Sequence, residues 1–384
     1  MPYDFDTPVD RRGTASLKWD SCAEIFGAQG LLPLWVADMD FCAPPGVLEE
    51  LGRLIRHGVF GYVQDPLPAS AFAPISEWTE SCHGSRMRED CLRFAPGVVS
   101  SLYAAVAAFT RPGEGVIVQP PVYPPFFQAV RQTGRVIVEN PLCLDNGRHE
   151  MDLEGLKRCL TPATRLLILC NPHNPGGRVW DRATLEALAE ICRTAGVLVV
   201  SDEIHADIVF APRCFTPFRA VEPASLTLYA ASKTFNIPGL GASLVYSERK
   251  ELRETLMGAI FATGWHQSNC FGLAGTLAAF THGGPWLDEL LPYLAANAAY
   301  AHETLARLGI DMPVPQSTYL GWMDCRPLAL ENLPAFFTEQ AGLALNTGTD
   351  YGFGGEGFMR INLGCRRALL RTALERLERA LEKR

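Results

Sequence analysis

Continuous apolar runs alternating with helical patterns constrain this chain more than any other feature. "EGVIVQPPVY" (114–123) and "GRVIVENPL" (134–142) carry β-branched cores flanked by Gly or Pro. "ATRLLILC" (163–170), "GVLVVSDEIH" (196–205) and "SLTLYAASK" (225–233) follow. Runs without polar alternation read as strands buried on both faces, and helices between them make a largely parallel sheet. The pattern predicts a helix from an N-cap at Asp181 to Ala195, with Leu185, Leu188, Ile191 and Cys192 as its apolar stripe and Gly196 as its stop. "ASLVYS" (242–247) comes too soon after the preceding run for a crossover helix, so its strand is expected to be antiparallel.

The ends read differently. Residues 1–45 are rich in Pro, Asp and aromatics and read as an extended arm that joins a smaller unit. From Gly283 the pattern turns helical, with a long helix over 286–309 carrying Pro292 in its first turns. A last helix has Leu370, Leu374, Leu377 and Leu381 on one face. The expected division is an arm at 1–45, a large unit at 46–285 and a smaller α/β unit at 286–384.

Of the 384 residues, 48% are apolar and 20% charged, enough to bury a large core. A net charge of −8 with no basic block argues against nucleic acid or an anionic membrane as partner. No apolar run approaches a membrane span and the start lacks signal-peptide character, so a cytoplasmic protein is expected. Twelve scattered cysteines without C-x-x-C read as reduced thiols, and eight histidines show no metal-ligand spacing.

Three of the apolar runs end in polar clusters. These are Asn171, His173 and Asn174; Asp202, Glu203 and His205; and Ser232 and Lys233. Ligands of open α/β sheets bind beyond the carboxyl ends of the strands, so the clusters are expected to share one cleft. A lysine at a buried strand end is costly unless it snorkels to water or does chemistry. Gly97 in "APGVVSSLYAAVAAF" (95–109) opens a helix whose free N–H groups suit an anion. Neither a Walker loop nor G-x-G-x-x-G accompanies it. Lysine, carboxylate and anion cradle without a nucleotide loop suggest a phosphorylated cofactor held covalently.

Nine stretches carry a resemblance over nearly the whole chain. They are "KWD" (18–20), "PLWVADMDF" (33–41), "GY" (61–62), "PGVVSSL" (96–102), "QPPVYPPF" (119–126), "CNPHNPGGRVW" (170–180), "SDEIHAD" (201–207), "SKTFNIPGL" (232–240) and "FMRINLGC" (358–365). The chain resembles the pyridoxal-phosphate enzymes of the aspartate-aminotransferase fold, and among them the MalY/PatB group of carbon–sulfur β-lyases. The resemblance implies a three-layer unit with a mostly parallel seven-stranded sheet, a smaller C-terminal α/β unit, and a homodimer with shared active sites. It implies that Lys233 carries pyridoxal 5′-phosphate and takes the substrate Cα proton. Asp202, rather than Glu203 or Asp207, would pair with the pyridine nitrogen. Asn174 would reach the phenolic oxygen, with His205 near it, and Asn171 would serve the turn.

Tyr123 would stack on the ring. Gly97, the Val98 and Val99 N–H groups and Ser232 would hold the phosphate, with Tyr62 arriving from the second subunit. Arg360 would bind the substrate carboxylate. Trp35, Tyr62 and Tyr123 are candidates to line the substrate pocket. Three positions depart from the pattern: "GCRR" (364–367) where many relatives have "GCPR", Ala230 where aminotransferases often carry a hydroxyl, and Gly241 where they often carry a phosphate-binding cation. The implied reaction is β-elimination from cystathionine or another S-substituted cysteine, giving a thiol, pyruvate and ammonia. A plain aminotransferase, or a regulatory protein with a vestigial site, are the alternatives.

Overall fold

The computed structural model describes residues 3–383, so residues 1 and 2 of the expected arm and the final Arg384 lie outside the described residues. Seven strands form the main sheet: β1 (Leu92–Ala95), β2 (Gly115–Val118), β3 (Val136–Glu139), β4 (Thr164–Cys170), β5 (Leu198–Asp202), β6 (Leu226–Tyr229) and β7 (Ser243–Tyr246). Their spatial order is β1-β7-β6-β5-β4-β2-β3. β7 is antiparallel to both neighbours, and all other pairings are parallel. Successive side chains of a strand point to opposite faces, and here both faces are covered. Val116, Leu166, Ile168 and Val200 pack beneath helices Val98–Phe109 and Lys250–Phe261. Ile117, Leu167, Leu169 and Val199 pack on the other side against helix Arg182–Ala195 through Leu185, Leu188 and Cys192. That is why these strands show no polar alternation.

The helix at 182–195 follows its sequence signals: the Asp181 side chain accepts from Thr184 N at its start, and Gly196 ends it with φ +67°. The "SLTLYAASK" run ends as a strand earlier than its apolar character suggests. β6 stops at Tyr229, and Lys233 lies on a short helical turn, Ala231–Thr234. The C-terminal part contains a three-stranded antiparallel sheet, β8 (Leu320–Asp324), β9 (Asn346–Thr347) and β10 (Phe358–Asn362), in the order β8-β10-β9. Helices Gly284–Arg307 and Arg367–Glu382 cover it, burying Ala301, Leu305, Leu370, Leu374 and Leu377 against Met323, Met359 and Ile361. The long helix begins two residues before its expected start, with Pro292 in its interior.

The N-terminal arm is not extended. It turns repeatedly, forms a short helix at Cys22–Phe26, and pairs Leu32–Pro33 in parallel with Leu343–Ala344. Its return toward the main sheet is pinned by charge. Lys18, fully buried, lies 2.8 Å from Asp40, and Arg11 reaches Asp38 at 2.6 Å and Asp40 at 2.8 Å. Burial pushes the Asp40 carboxyl up, but Lys18 and the other donors more than reverse this and hold it below the usual range. Among the described residues no helix is long and apolar enough to cross a membrane.

Candidate active site

β4, β5 and β6 are adjacent and parallel, so whatever follows their carboxyl ends is brought to one place. There a cavity of about 250 Å³ is lined by Asn174 beyond β4, Asp202 and His205 at and beyond β5, and Ser232 and Lys233 beyond β6. Gly97, Val98 and Val99 open onto it from the start of their twelve-residue helix, and Tyr123 enters from the loop after β2.

The sheet edge sorts the polar clusters. Asn171 turns away, its side-chain nitrogen donating to Thr216 O at 3.0 Å. Glu203 is buried behind the site, accepting from Ser201 and the Phe218 N–H, and lies 3.3 Å from Arg219. Asp207 is spent on Trp78, Tyr229 and Thr234, all at 2.7–2.8 Å. Asp202 alone of the three carboxylates opens onto the cavity. Its Oδ1 accepts only the Ile204 N–H, at 3.1 Å. Burial pushes its carboxyl up to about 7, against the opposing pull of the Ile204 N–H and Lys233. The charged form is thus short of a cation.

Lys233 points its Nζ at the Ala37 carbonyl, 2.6 Å away. Burial brings its ammonium down to about 8, although Asp38 and Asp202 oppose this. An amine poised there deprotonates easily at neutral pH. His205 has its Nδ1 unpartnered; burial, with Lys233 and Arg360 nearby, lowers the ring to about 3, so it is neutral.

Arg360, at the centre of β10, is 3% exposed. Nη1 donates to Asn174 Oδ1 at 3.1 Å, and Nη2 to Trp35 O and Asn346 Oδ1, both at 2.6 Å. With its oxygen taken by Arg360, Asn174 has its amide nitrogen left for the cavity. Among the described residues every acceptor on Arg360 is neutral, and its Nε–H has no partner. A buried guanidinium without a carboxylate is an unpaid electrostatic cost that an incoming anion removes.

Two expected residues lie elsewhere. Tyr62 is 95% exposed and lines no part of this cavity in its own chain. Trp35 does not line it either; its indole N–H donates to Lys18 O at 3.1 Å, and its carbonyl accepts from Arg360 Nη2 at 2.6 Å. Gly241 does line it, and a Cβ there would meet nothing closer than Asn269 at 4.0 Å. The missing basic side chain therefore leaves open space. Sequence reasoning missed Ala37 and Tyr319, whose hydroxyl donates to the same Ala37 oxygen at 3.0 Å. "WVADMDF" carried the signal, but a backbone acceptor leaves no trace in residue type.

A doubly covered, mostly parallel seven-stranded sheet with lysine and aspartate at adjacent strand ends defines a class, and residues 49–377 match the family Aminotransferase class I and II. The chain belongs to that family. Within it, the chain is 41% identical over 390 residues to "Cystathionine beta-lyase PatB" of Bacillus subtilis (strain 168), covering 98% of this chain and 99% of that one. It is 33% identical over 386 residues to "Protein MalY" of Escherichia coli (strain K12), covering 99% of each. The crystal structure of cystalysin from Treponema denticola, which contains a pyridoxal 5′-phosphate cofactor, superposes with a TM-score of 0.95 at 31% identity, covering 100% of both chains.

Proposed function

We propose that this protein is a pyridoxal-phosphate-dependent carbon–sulfur β-lyase that cleaves cystathionine or other S-substituted cysteines to a thiol, pyruvate and ammonia. The observation that carries this reading is a buried arginine without an acidic partner beside a cavity that holds a lysine amine and an under-compensated aspartate. The first suits a substrate α-carboxylate, the other two a cofactor aldehyde and ring nitrogen. The cavity residues fit the cofactor in kind. Asp202 lacks the cationic N–H that a protonated pyridine offers. The helix start at Val98 and Val99, with Ser232, offers donors to a phosphate, and Tyr123 offers an aromatic face. Asn174, with its amide nitrogen free of Arg360, and neutral His205 would serve the phenolic oxygen.

Bound there, the cofactor supplies an electron sink that lets the substrate Cα–H bond ionise. Arg360 fixes the substrate by its carboxylate, so one Cα–H is presented to Lys233. The Lys233 nitrogen would hold the cofactor and, once free, would take the substrate Cα proton. Loss of the Cβ thiolate follows, and hydrolysis of the three-carbon remainder gives pyruvate and ammonia.

Supporting the lyase over the aminotransferase are the names of the relatives and the absence of a cation at Gly241. Phosphate charge is then met by the helix start, by Ser232, and by Tyr62 from a second copy, which accounts for so exposed a tyrosine in a homodimer with shared sites. We place the dimer in the cytoplasm. The test is pyruvate release from cystathionine and a panel of S-substituted cysteines with no 2-oxo acid supplied. Background rates on all of them, with glutamate formed only when 2-oxoglutarate is added, would establish the aminotransferase instead.

A further inference from the structure

Tyr319 is a buried phenol, 1% exposed, that the reaction as described does not use. Its hydroxyl donates to Ala37 O at 3.0 Å, and Lys233 Nζ donates to that oxygen at 2.6 Å. A carbonyl oxygen has two lone pairs, so the phenol and the lysine share it fully. The backbone presenting this phenol is strained. Thr318 has φ +68°, and it is the one β-branched residue with positive φ among the described residues. Such a conformation costs about 1–3 kcal/mol and persists only where the surroundings impose it. Here the Thr318 N–H donates to Ile208 O at 2.8 Å, and Tyr319 O accepts from Leu363 N at 2.7 Å.

The shared oxygen is itself immobile. Asn362 Nδ2 bonds the carbonyls on either side of it, those of Val36 and Asp38. Asn236 clasps Met39 through both its N–H and its carbonyl, at 2.9 Å each. Behind the segment stand Lys18 and Asp40, 2.8 Å apart. Residues 36–39 are thus a strap fixed on both sides, and the lysine must come to it.

We propose that Tyr319 is a positioning residue for Lys233: by occupying one lone pair of the Ala37 carbonyl, it limits how tightly that oxygen holds the lysine nitrogen whenever that nitrogen is not bonded to the cofactor. The proposal rests on Lys233 being the cofactor-bearing lysine. Burial, reinforced by Asp38, holds the phenol protonated far above its ordinary range, so it remains a donor. Lys233 also faces Asp38 on the strap, Asp202 at the end of β5, and Arg360 on β10, with neutral His205 nearby. All are retained when the phenol alone is changed.

Tyr319→Phe removes the hydroxyl and keeps the ring. Freed of the phenol, the carbonyl holds the Lys233 ammonium more tightly, so less free amine is available at neutral pH. In full-length protein stripped of cofactor, the rate of pyridoxal 5′-phosphate capture, followed by absorbance, falls about fivefold at pH 7. Its pH midpoint rises, and the high-pH plateau is unchanged. In the loaded enzyme kcat for pyruvate release falls similarly, with KM within about twofold. Thr318→Gly provides the second arm: it frees the backbone that presents Tyr319 and removes the buried Thr318 Oγ1 that accepts from Leu320 N at 3.1 Å, so capture is expected to slow.

Tyr246→Phe, a buried phenol in β7 away from the site, leaves capture unchanged. A lower unfolding temperature for Tyr319→Phe with the same midpoint and kcat would reduce Tyr319 to packing and overturn the proposal, as would a folded Thr318→Gly protein that captures the cofactor as fast as wild type. Capture by Lys233→Ala with the wild-type profile would instead sink the assignment of Lys233 itself.

Discussion

Asp202→Asn separates the two things a buried carboxylate does here. In the cofactor-free protein Asp202 has one hydrogen bond and only the partial compensation of Lys233, and burial raises its carboxyl from 3.8 to about 7. That rise corresponds to about 4 kcal/mol favouring the protonated form. The sign follows from proton counts. Between pH 4 and pH 7 the unfolded chain has released this proton while the folded chain keeps it, so folding stability falls as pH rises through that window. The contribution is fully present below the unfolded value and fully lost above about pH 7.

Asparagine keeps the shape and removes the titration. Urea unfolding of cofactor-free protein should therefore find the variant more stable than wild type by about 4 kcal/mol at pH 8 and only about 1.5 kcal/mol at pH 5. Mutual attraction with Lys233 trims the first figure. Activity moves the other way. Losing the proposed pairing with the ring nitrogen should remove a comparable energy from the transition state, lowering kcat about 10³-fold. A variant no more stable than wild type at pH 8, or a difference that does not shrink at pH 5, would refute the argument that the cavity leaves Asp202 uncompensated.

Three further outcomes are expected. Lys233→Ala should abolish pyruvate release and leave cofactor that borohydride no longer fixes to the chain, checked by mass spectrometry. Arg360→Lys keeps charge but loses the fork that Asn174, Trp35 and Asn346 orient; KM should rise about 100-fold with a smaller loss in kcat, read from steady-state kinetics. Lys18→Met strands the buried Asp40, with only Arg11 and Trp19 remaining, and should cost about 3 kcal/mol in urea unfolding, far more than loss of an exposed pair such as Arg88–Asp90.

How much was legible can be judged from particular elements. The helix at 182–195 was readable to the residue because its cap, stripe and stop are all local. β7 was readable as antiparallel because the chain before it is too short for a crossover. The arm at 1–45 was misread as extended: its Asp and Arg residues meet partners twenty or more positions away, and composition cannot show that. Trp35 was a candidate for the substrate pocket; that its indole is bonded to Lys18 O and its carbonyl to Arg360 could not be read from residue type. The divergence of Asp202 from Glu203 and Asp207 depends on the partners each meets far along the chain. Asp202 ends β5 opposite Cys170 and opens onto the cavity, while Glu203 is drawn to Ser201, Phe218 N and Arg219, and Asp207 to Trp78, Tyr229 and Thr234.

By itself the sequence determined a doubly covered parallel sheet, the strand ends where polar groups collect, and through its motifs the residues that meet there. Those properties depend on short-range periodicity and residue type. What only the tertiary structure decided is how those residues are held. Lys233 rests on the Ala37 carbonyl, Tyr319 shares it, and Arg360 waits without an acid, through contacts spanning 196, 282 and 325 positions of chain. Such contacts are made by backbone atoms and by shared burial, and neither is encoded in the identity of any one residue.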